Sequence, residues 1–570
     1  MPRSAIASSI FLSISLAFSA DVALSYDTNS LKWAPCDLDF SSEIQLEVAA
    51  HAEPLFCATL PVPLDYTNRK NGQFLDLQLI KIKATKEPFK GSVLTNPGGP
   101  GGSGVDWIAT DGPSIRNDLG GHHDVIGFDP RGTGRTIPFY CIQSNSTSPN
   151  NKRAEYNFTI PQDDMYSVLK AKAWRDGGKY AEDCASTPGN SDIAPYISTP
   201  FVARDMLKII DALGEDKLQY WGIYYGTVLG QTFAGMFPDR VKRIVLDSTV
   251  RFDDYHAGHW ITVTRDTERA LVNFFTECVN VGSELCPIAN FTGPNATPED
   301  LHNEYAKVFQ ELLDDPVFMP DDYHPLPWWQ PGSITISQIL KYSTLASAYR
   351  PRQFGELDII VDIALRRAWD EWIALSTPLP SNSTTPEVPW NLGSNAFHGI
   401  TCGDGAFRAN TPEDMHSLVL AQASAGTFSD GFAPQIWPCA QWKFEVKERY
   451  TGPFTAINTS YPILFVNGNH DPITPLSTAY EASANFPSSR LVVQNGHGHG
   501  TRNHPSACTN RAIADYFNDG TLPAAGTVCQ TDKTAYGVFE DWLALQLGNS
   551  TDNSTIAKRS SENSRKFILV

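Results

Sequence analysis

Residues 218–246 constrain the fold more than any other stretch. The run Leu218-Gln-Tyr-Trp-Gly-Ile-Tyr-Tyr-Gly-Thr227 passes from an apolar, strand-like segment into a turn flanked by Gly222 and Gly226. A helical pattern then reaches Phe237, and a second apolar run follows at 241–246. A strand that turns sharply into a helix between two glycines is the setting of a nucleophile elbow, Gly-x-Ser-x-Gly. Tyr224 stands where the serine belongs. What the chain can do chemically turns on that residue.

The segments around this stretch alternate between strand and helix. Leu60-Pro-Val-Pro-Leu-Asp and Gln73-Phe-Leu-Asp-Leu-Gln-Leu-Ile-Lys-Ile have the patterning of opening antiparallel strands. Gly91-Ser-Val-Leu-Thr-Asn predicts a buried strand that delivers Asn96-Pro-Gly-Gly-Pro-Gly-Gly-Ser-Gly104. A run so rich in Gly and Pro is neither helix nor strand, and between two core segments it reads as a tight loop aiming backbone N–H groups at a developing negative charge. Asp124-Val-Ile-Gly-Phe-Asp-Pro-Arg-Gly-Thr-Gly134 is the next strand and its exit turn. Asp129 and Arg131 there lie at the carboxyl end of a strand, where open α/β sheets bind ligands, yet a structural ion pair is the use they favour. Residues 141–198 are polar and read as an excursion pinned by a disulfide. A Thr-Pro start and a Gly214 stop bracket a helix over 199–213.

Past the elbow, 250–400 reads as mostly helical with aromatic-rich loops such as Pro325-Leu-Pro-Trp-Trp-Gln-Pro331, an insertion placed to cover the sheet. The sheet resumes at Tyr461-Pro-Ile-Leu-Phe-Val, which puts Asp471 in a loop after a buried strand. Arg490-Leu-Val-Val-Gln-Asn-Gly-His-Gly-His-Gly500 is a last strand ending in a Gly/His loop that offers His499 as base and His497 as a weaker candidate. Asp247, at the end of the strand after the elbow, is an alternative acid, though a structural turn role suits it better. The order oxyanion loop, elbow, Asp471, His499 is the nucleophile–acid–histidine order of α/β-hydrolases.

The chain resembles the secreted prolyl/tripeptidyl aminopeptidase group of α/β-hydrolases, with their tripeptidyl-aminopeptidase-like C-terminal region. Asn96–Gly104, Phe128-Asp-Pro-Arg-Gly132, Tyr225-Gly-Thr, Asn467-Gly-Asn-His-Asp-Pro-Ile-Thr-Pro475 and the Gly498-His-Gly…Cys508…Cys529 tail carry the likeness, over roughly residues 55–535. The resemblance implies a mostly parallel sheet flanked by helices with a mainly helical lid, and a serine hydrolase acting on free N-termini or on esters and small molecules. The run of segments divides the chain into a signal segment 1–25, core 26–249, lid 250–400, core 401–547 and a polar tail 548–570, and the resemblance carries further to single residues. It makes Asp471 the acid and His499 the base, with the backbone N–H groups of Gly99 and Tyr225 as oxyanion donors. The nucleophile does not carry over.

Three readings of Tyr224 stay open. In a repurposed enzyme, Asp471–His499 supplies acid–base chemistry and Tyr224 acts as proton donor, acceptor or nucleophile, made easier to deprotonate by the neighbouring imidazole. In a dead hydrolase the pocket only binds. In a residual aminopeptidase, hydrolysis persists through another residue such as Ser103. Loss of the triad serine costs about 10⁶ in turnover in the best-studied case, which weighs against an ordinary serine peptidase.

Composition narrows partners and compartment. Arg3, an apolar run over 6–18 and small residues near 17–25 form a secretory signal pattern. Sequons at Asn145, Asn157, Asn290, Asn295, Asn382, Asn458, Asn549 and Asn553 fit passage through the secretory route. The ten cysteines lack metal-ligand spacing and suggest neighbour pairing: Cys36–Cys57, Cys141–Cys184, Cys278–Cys286, Cys402–Cys439 and Cys508–Cys529. A net charge of −19 argues against nucleic acid and anionic membranes as partners. No run is long and apolar enough for a membrane span, and no P-loop, dinucleotide fingerprint or ligand-spaced cluster points to a cofactor or metal. A small molecule or short peptide is the expected substrate.

Overall fold

The computed structural model describes residues 31–51, 53–68, 70, 72–142, 165–319, 335–376, 393–432 and 436–548. The signal pattern, the tail beyond 548, the 325–331 aromatic loop and Asn145, Asn157, Asn382, Asn549 and Asn553 lie outside them. Asn290, Asn295 and Asn458 are all exposed.

Ten strands form one sheet: β1 (Ala34–Pro35), β2 (Phe56–Pro63), β3 (Phe74–Ile82), β4 (Ser92–Asn96), β5 (Asp124–Phe128), β6 (Leu218–Ile223), β7 (Val241–Asp247), β8 (Leu464–His470), β9 (Arg490–His497) and β10 (Val528–Gln530). Their spatial order is β1-β2-β3-β5-β4-β6-β7-β8-β9-β10. β1, β2 and β3 are antiparallel, β3 pairs antiparallel with β5, and every pairing from β5 to β10 is parallel.

The central strands are buried along their whole length because both faces are covered. Successive residues point to opposite faces, so Leu94, Tyr220 and Leu246 enter one apolar core while Val93, Trp221 and Val245 enter the other. The second core is closed by the helices Gly104–Asp118 and Ala507–Asp519, and the first by Thr199–Leu213 and Tyr225–Met236. The helix over 199–213 stops where expected, with Gly214 in the left-handed conformation that glycine adopts without a Cβ clash.

Between β7 and β8 the chain leaves the sheet for a helical insertion that includes Thr267–Val281, Pro298–Asp314, Ile336–Ser347, Phe354–Leu365 and Gly393–Asp404. Helices continue past residue 400, through His416–Ala425 to Trp437–Ala440, before β8 begins at Leu464. The polar stretch after Cys141, read as an excursion pinned by a disulfide, is bridged by Cys141–Cys184 and contains the 22-residue helix Met165–Ser186. Its contacts with Trp437–Ala440 hold it against the insertion. All ten cysteines are bridged, as Cys36–Cys57, Cys141–Cys184, Cys278–Cys286, Cys402–Cys439 and Cys508–Cys529.

Candidate active site

The elbow forms for steric reasons that can be read atom by atom. Tyr224 has φ 58° and ψ −120°, a conformation costly for a residue with a large side chain. Its N–H donates to the Asp247 carbonyl at 3.1 Å, which fixes the turn to the end of β7. A Cβ on Gly222 would lie 2.2 Å from the Gly226 carbonyl oxygen, and one on Gly226 would lie 2.7 Å from that of Asn96. Only glycine lets the strand, the helix and the neighbouring loop come this close.

The Gly/Pro loop packs directly onto the elbow. A Cβ on Gly98 would stand 2.8 Å from the Tyr224 Cβ and 3.0 Å from the Tyr225 nitrogen. Tyr225 begins the helix Tyr225–Met236, so its N–H has no partner within that helix. Gly99 and Tyr225 both line the cavity in front of the elbow.

Behind them stands a complete acid–histidine pair. His499 Nδ1 is 3.0 Å from Asp471 Oδ1 and 3.1 Å from Oδ2, and the Thr474 hydroxyl donates to Oδ2 at 2.6 Å. The backbone N–H groups of Ile473 and Thr474 donate to Oδ1. Burial alone would raise the Asp471 carboxyl, but the imidazole beside it and these hydrogen bonds hold it below the ordinary value. An ionised Asp471 can only accept, so the proton sits on Nδ1 and the Nε2 lone pair is left free. Nε2 has no hydrogen-bond partner among the described residues, and His499 is part of the cavity wall.

The backbone around His499 is equally constrained. Its N–H donates to the Tyr349 carbonyl at 2.7 Å, and the Tyr349 ring lies 5.0 Å from the imidazole. The next N–H, of Gly500, donates to Ser248 Oγ at 3.0 Å.

The Tyr224 side chain is turned onto His499. Its ring stacks on the His499 imidazole, centroids 3.6 Å apart and planes inclined by 19°. Its hydroxyl donates to the His499 carbonyl oxygen at 2.7 Å and accepts from Asn503 Nδ2 at 3.1 Å. The expectation of an easily deprotonated phenol is corrected: burial, with the charges of Asp247 and Asp471, pushes it well above its usual value. The imidazole meets the ring face to face instead of receiving the hydroxyl proton.

Other candidates fall outside the reacting centre. Asp247 accepts from the Thr501 N–H and hydroxyl, and burial lifts its carboxyl to about 6. His497 contacts Asn273 and Glu277 and stacks on His470. Asp129 and Arg131 are structural, though not as a mutual pair. Arg131 is bound to Asp205 at 2.7 Å, while Asp129 takes the Ser103 hydroxyl at 2.6 Å and the Arg135 N–H at 2.8 Å. Ser103 caps the helix Gly104–Asp118 by accepting from the Asp106 N–H, so its hydroxyl is spent in the loop.

The cavity has a volume of about 460 Å³. Its floor is the elbow and the Gly/Pro loop, and its walls include Tyr255, Trp260, Leu345 and Phe397 from the insertion. A buried chain of hydroxyls ties insertion to core: Tyr225 to Thr199 at 2.6 Å, Thr199 to Asp404 at 2.6 Å, and Tyr255 to Asp404 at 2.9 Å.

A family model described as the alpha/beta hydrolase fold matches residues 91–288, which hold β4 to β7 and the elbow. The fold is that of an α/β-hydrolase. A second model, described as TAP-like protein, matches residues 424–529, which hold Asp471 and His499. The chain is 27% identical to the serine protease Hip1 of Mycobacterium tuberculosis over 511 residues, covering 88% of this chain and 91% of that one. It is 24% identical to a tripeptidyl aminopeptidase of Streptomyces lividans over 519 residues, covering 88% and 87%. Carboxylesterase B of Mycobacterium tuberculosis is 27% identical over 496 residues, covering 83% and 86%.

Thr474, Tyr349, Asn503 and Ser248 went unassigned in the sequence. Thr474 carries a local signal, because a hydroxyl residue three places after an aspartate suits a side-chain turn. Tyr349 lies in the helical insertion, where nothing in the sequence marks a residue that meets His499.

Proposed function

We propose that this α/β-hydrolase is a secreted enzyme acting on a small molecule held in the cavity, with the Asp471–His499 pair moving the proton and without an acyl-enzyme. One observation carries this reading: the acid–histidine pair is complete and borders the cavity, while the hydroxyl in the nucleophile position is bound elsewhere. Nε2 takes a proton from a water, or directly from the substrate, and Asp471 stabilises the imidazolium that forms. In the hydrolytic form, the water oxygen attacks the carbonyl carbon and its proton passes through Nε2 to the leaving group. The N–H groups of Gly99 and Tyr225 are the donors for the oxyanion. Tyr224 serves as a wall that fixes the imidazole plane. General-base catalysis of this kind contributes roughly 10²–10⁴-fold, so slow turnover is expected.

A second reading, a binding protein without turnover, is favoured by the ring stacked at 3.6 Å on the imidazole, which takes up space a covalent intermediate would need. The two separate by profiling metabolites and short peptides exposed to wild-type protein and to His499→Ala. A compound consumed by wild type and spared by His499→Ala supports the enzyme; consumption by both sinks the histidine mechanism, and consumption by neither leaves the binding protein. In parallel, Tyr224→Ser is expected to gain fluorophosphonate labelling that native protein lacks.

A further inference from the structure

The cavity holds a charge that the Asp471–His499 pair does not use. Arg350 is half-buried in its wall, adjoining Tyr349, whose carbonyl receives the His499 N–H. Its guanidinium has no ion pair and no hydrogen bond among the described residues, whereas several other arginines of the chain are matched. Arg131 is matched with Asp205, Arg204 with Glu448, Arg251 with Asp253 and Glu481, and Arg367 with Glu311. The cavity wall is largely apolar and aromatic, with Trp260, Val263, Leu345, Phe397 and Ile473 in it, and none of its described lining residues is a carboxylate. Beyond the lining, the Arg350 charge acts on Glu356, which lies on the helix Phe354–Leu365, and on Arg352. A guanidinium presents its donors in a planar fork that matches a carboxylate, and at the edge of an apolar cavity it has few other ways to be satisfied.

We infer that the cavity takes a small organic carboxylate, its anionic group paired with Arg350 and its apolar body against the aromatic wall. This deepens the small-molecule reading above and shares its cavity. It also disfavours a free N-terminal ammonium as the group to be held, since that cation would meet Arg350 with no carboxylate among the described lining residues. Size sets a bound as well: the cavity, at about 460 Å³, lies in the range of sites for drug-sized ligands.

The test uses three probes with one phenylbutyl body and different head groups: 4-phenylbutyrate, 4-phenylbutanol and 4-phenylbutylamine. Binding is measured by titration calorimetry on the full-length wild type, Arg350→Gln and Arg350→Lys, with thermal midpoints confirming that each variant is folded. 4-Phenylbutyrate is expected to bind wild type best and to lose roughly tenfold or more in Arg350→Gln, as for a charge-assisted hydrogen bond. Arg350→Lys recovers part of the loss, and the affinity for 4-phenylbutanol stays the same. Equal affinity of the acid for wild type and Arg350→Gln, tighter binding of the amine, or no binding of the acid would overturn the inference. Because turnover is not read, this outcome is independent of the His499→Ala experiment, and Arg350-dependent binding alongside an inert His499 would sink only the catalytic reading.

Discussion

At the scale of residues, Tyr224 shows how a strained elbow backbone can carry a large aromatic side chain. The left-handed backbone at this position is costly for a tyrosine, and stacking on His499 with two hydrogen bonds offsets that cost. Tyr224→Phe keeps the stack and loses the hydroxyl, while Asn503 still donates to the His499 carbonyl. A destabilisation of about 1 kcal/mol is expected by urea denaturation, with His499-dependent turnover retained. A larger loss of turnover than of stability would show that the hydroxyl takes part in the reaction. The sequence made the pair Asp471 and His499 legible because each ends an apolar strand, but it could not show that the phenol turns away from Nε2. That direction is set by Asn503 and the His499 carbonyl, 279 and 275 positions away along the chain.

At the scale of elements, a buried ion pair joins the β5 exit loop to its surroundings. Arg131 and Asp205 are both fully buried, and Arg131 also donates to the carbonyls of Pro63 and Leu64 at 2.6 Å each. Tyr66 donates its hydroxyl to Asp205 at 2.8 Å, so β2, the β5 exit and the helix Thr199–Leu213 meet at one guanidinium. Asp205→Asn leaves that cation without its counter-charge and is expected to cost about 3–5 kcal/mol, read as a lower denaturation midpoint with an unchanged m-value. The parallel strands and the helix over 199–213 could be read from the sequence because buried strands are continuously apolar and the helix has clear stop chemistry. The helix Met165–Ser186 could not, since polar residues, Gly177 and Gly178 hide its periodicity. Its docking supplies the reason for those glycines: a Cβ on Gly177 would lie 2.9 Å from the Trp437 backbone.

At the scale of the molecule, five disulfides mark a chain that matures in an oxidising compartment. Buried histidines give it a defined acid response: burial lowers His470 to about 3 and His123 and His504 to about 4, and His256 shows the cause most plainly. His256 is buried among Phe252, Tyr255, Tyr450 and Phe454, with Nε2 3.1 Å from the Thr232 hydroxyl, and burial lowers its pKa from 6.5 to about 3. A depressed folded-state value means that the unfolded chain binds the proton first as pH falls. The contribution of neutral His256 to stability is therefore complete above 6.5 and is lost as pH drops toward 3. His256→Gln is expected to lessen the slope of the stability profile across that window, with His123, His470 and His504 leaving a remainder, measured by denaturation at a series of pH values. A profile as steep as wild type would place the acid response elsewhere.

Gly500 has a bearing on what position 224 can hold. A Cβ there would lie 2.4 Å from the Tyr224 hydroxyl, so the phenol occupies room that a side chain would fill. Yet Gly500 has φ 89°, a backbone conformation that calls for glycine whatever stands at position 224. The room the Tyr224 ring takes is thus set by the backbone of Gly500 itself and does not depend on the ring being there.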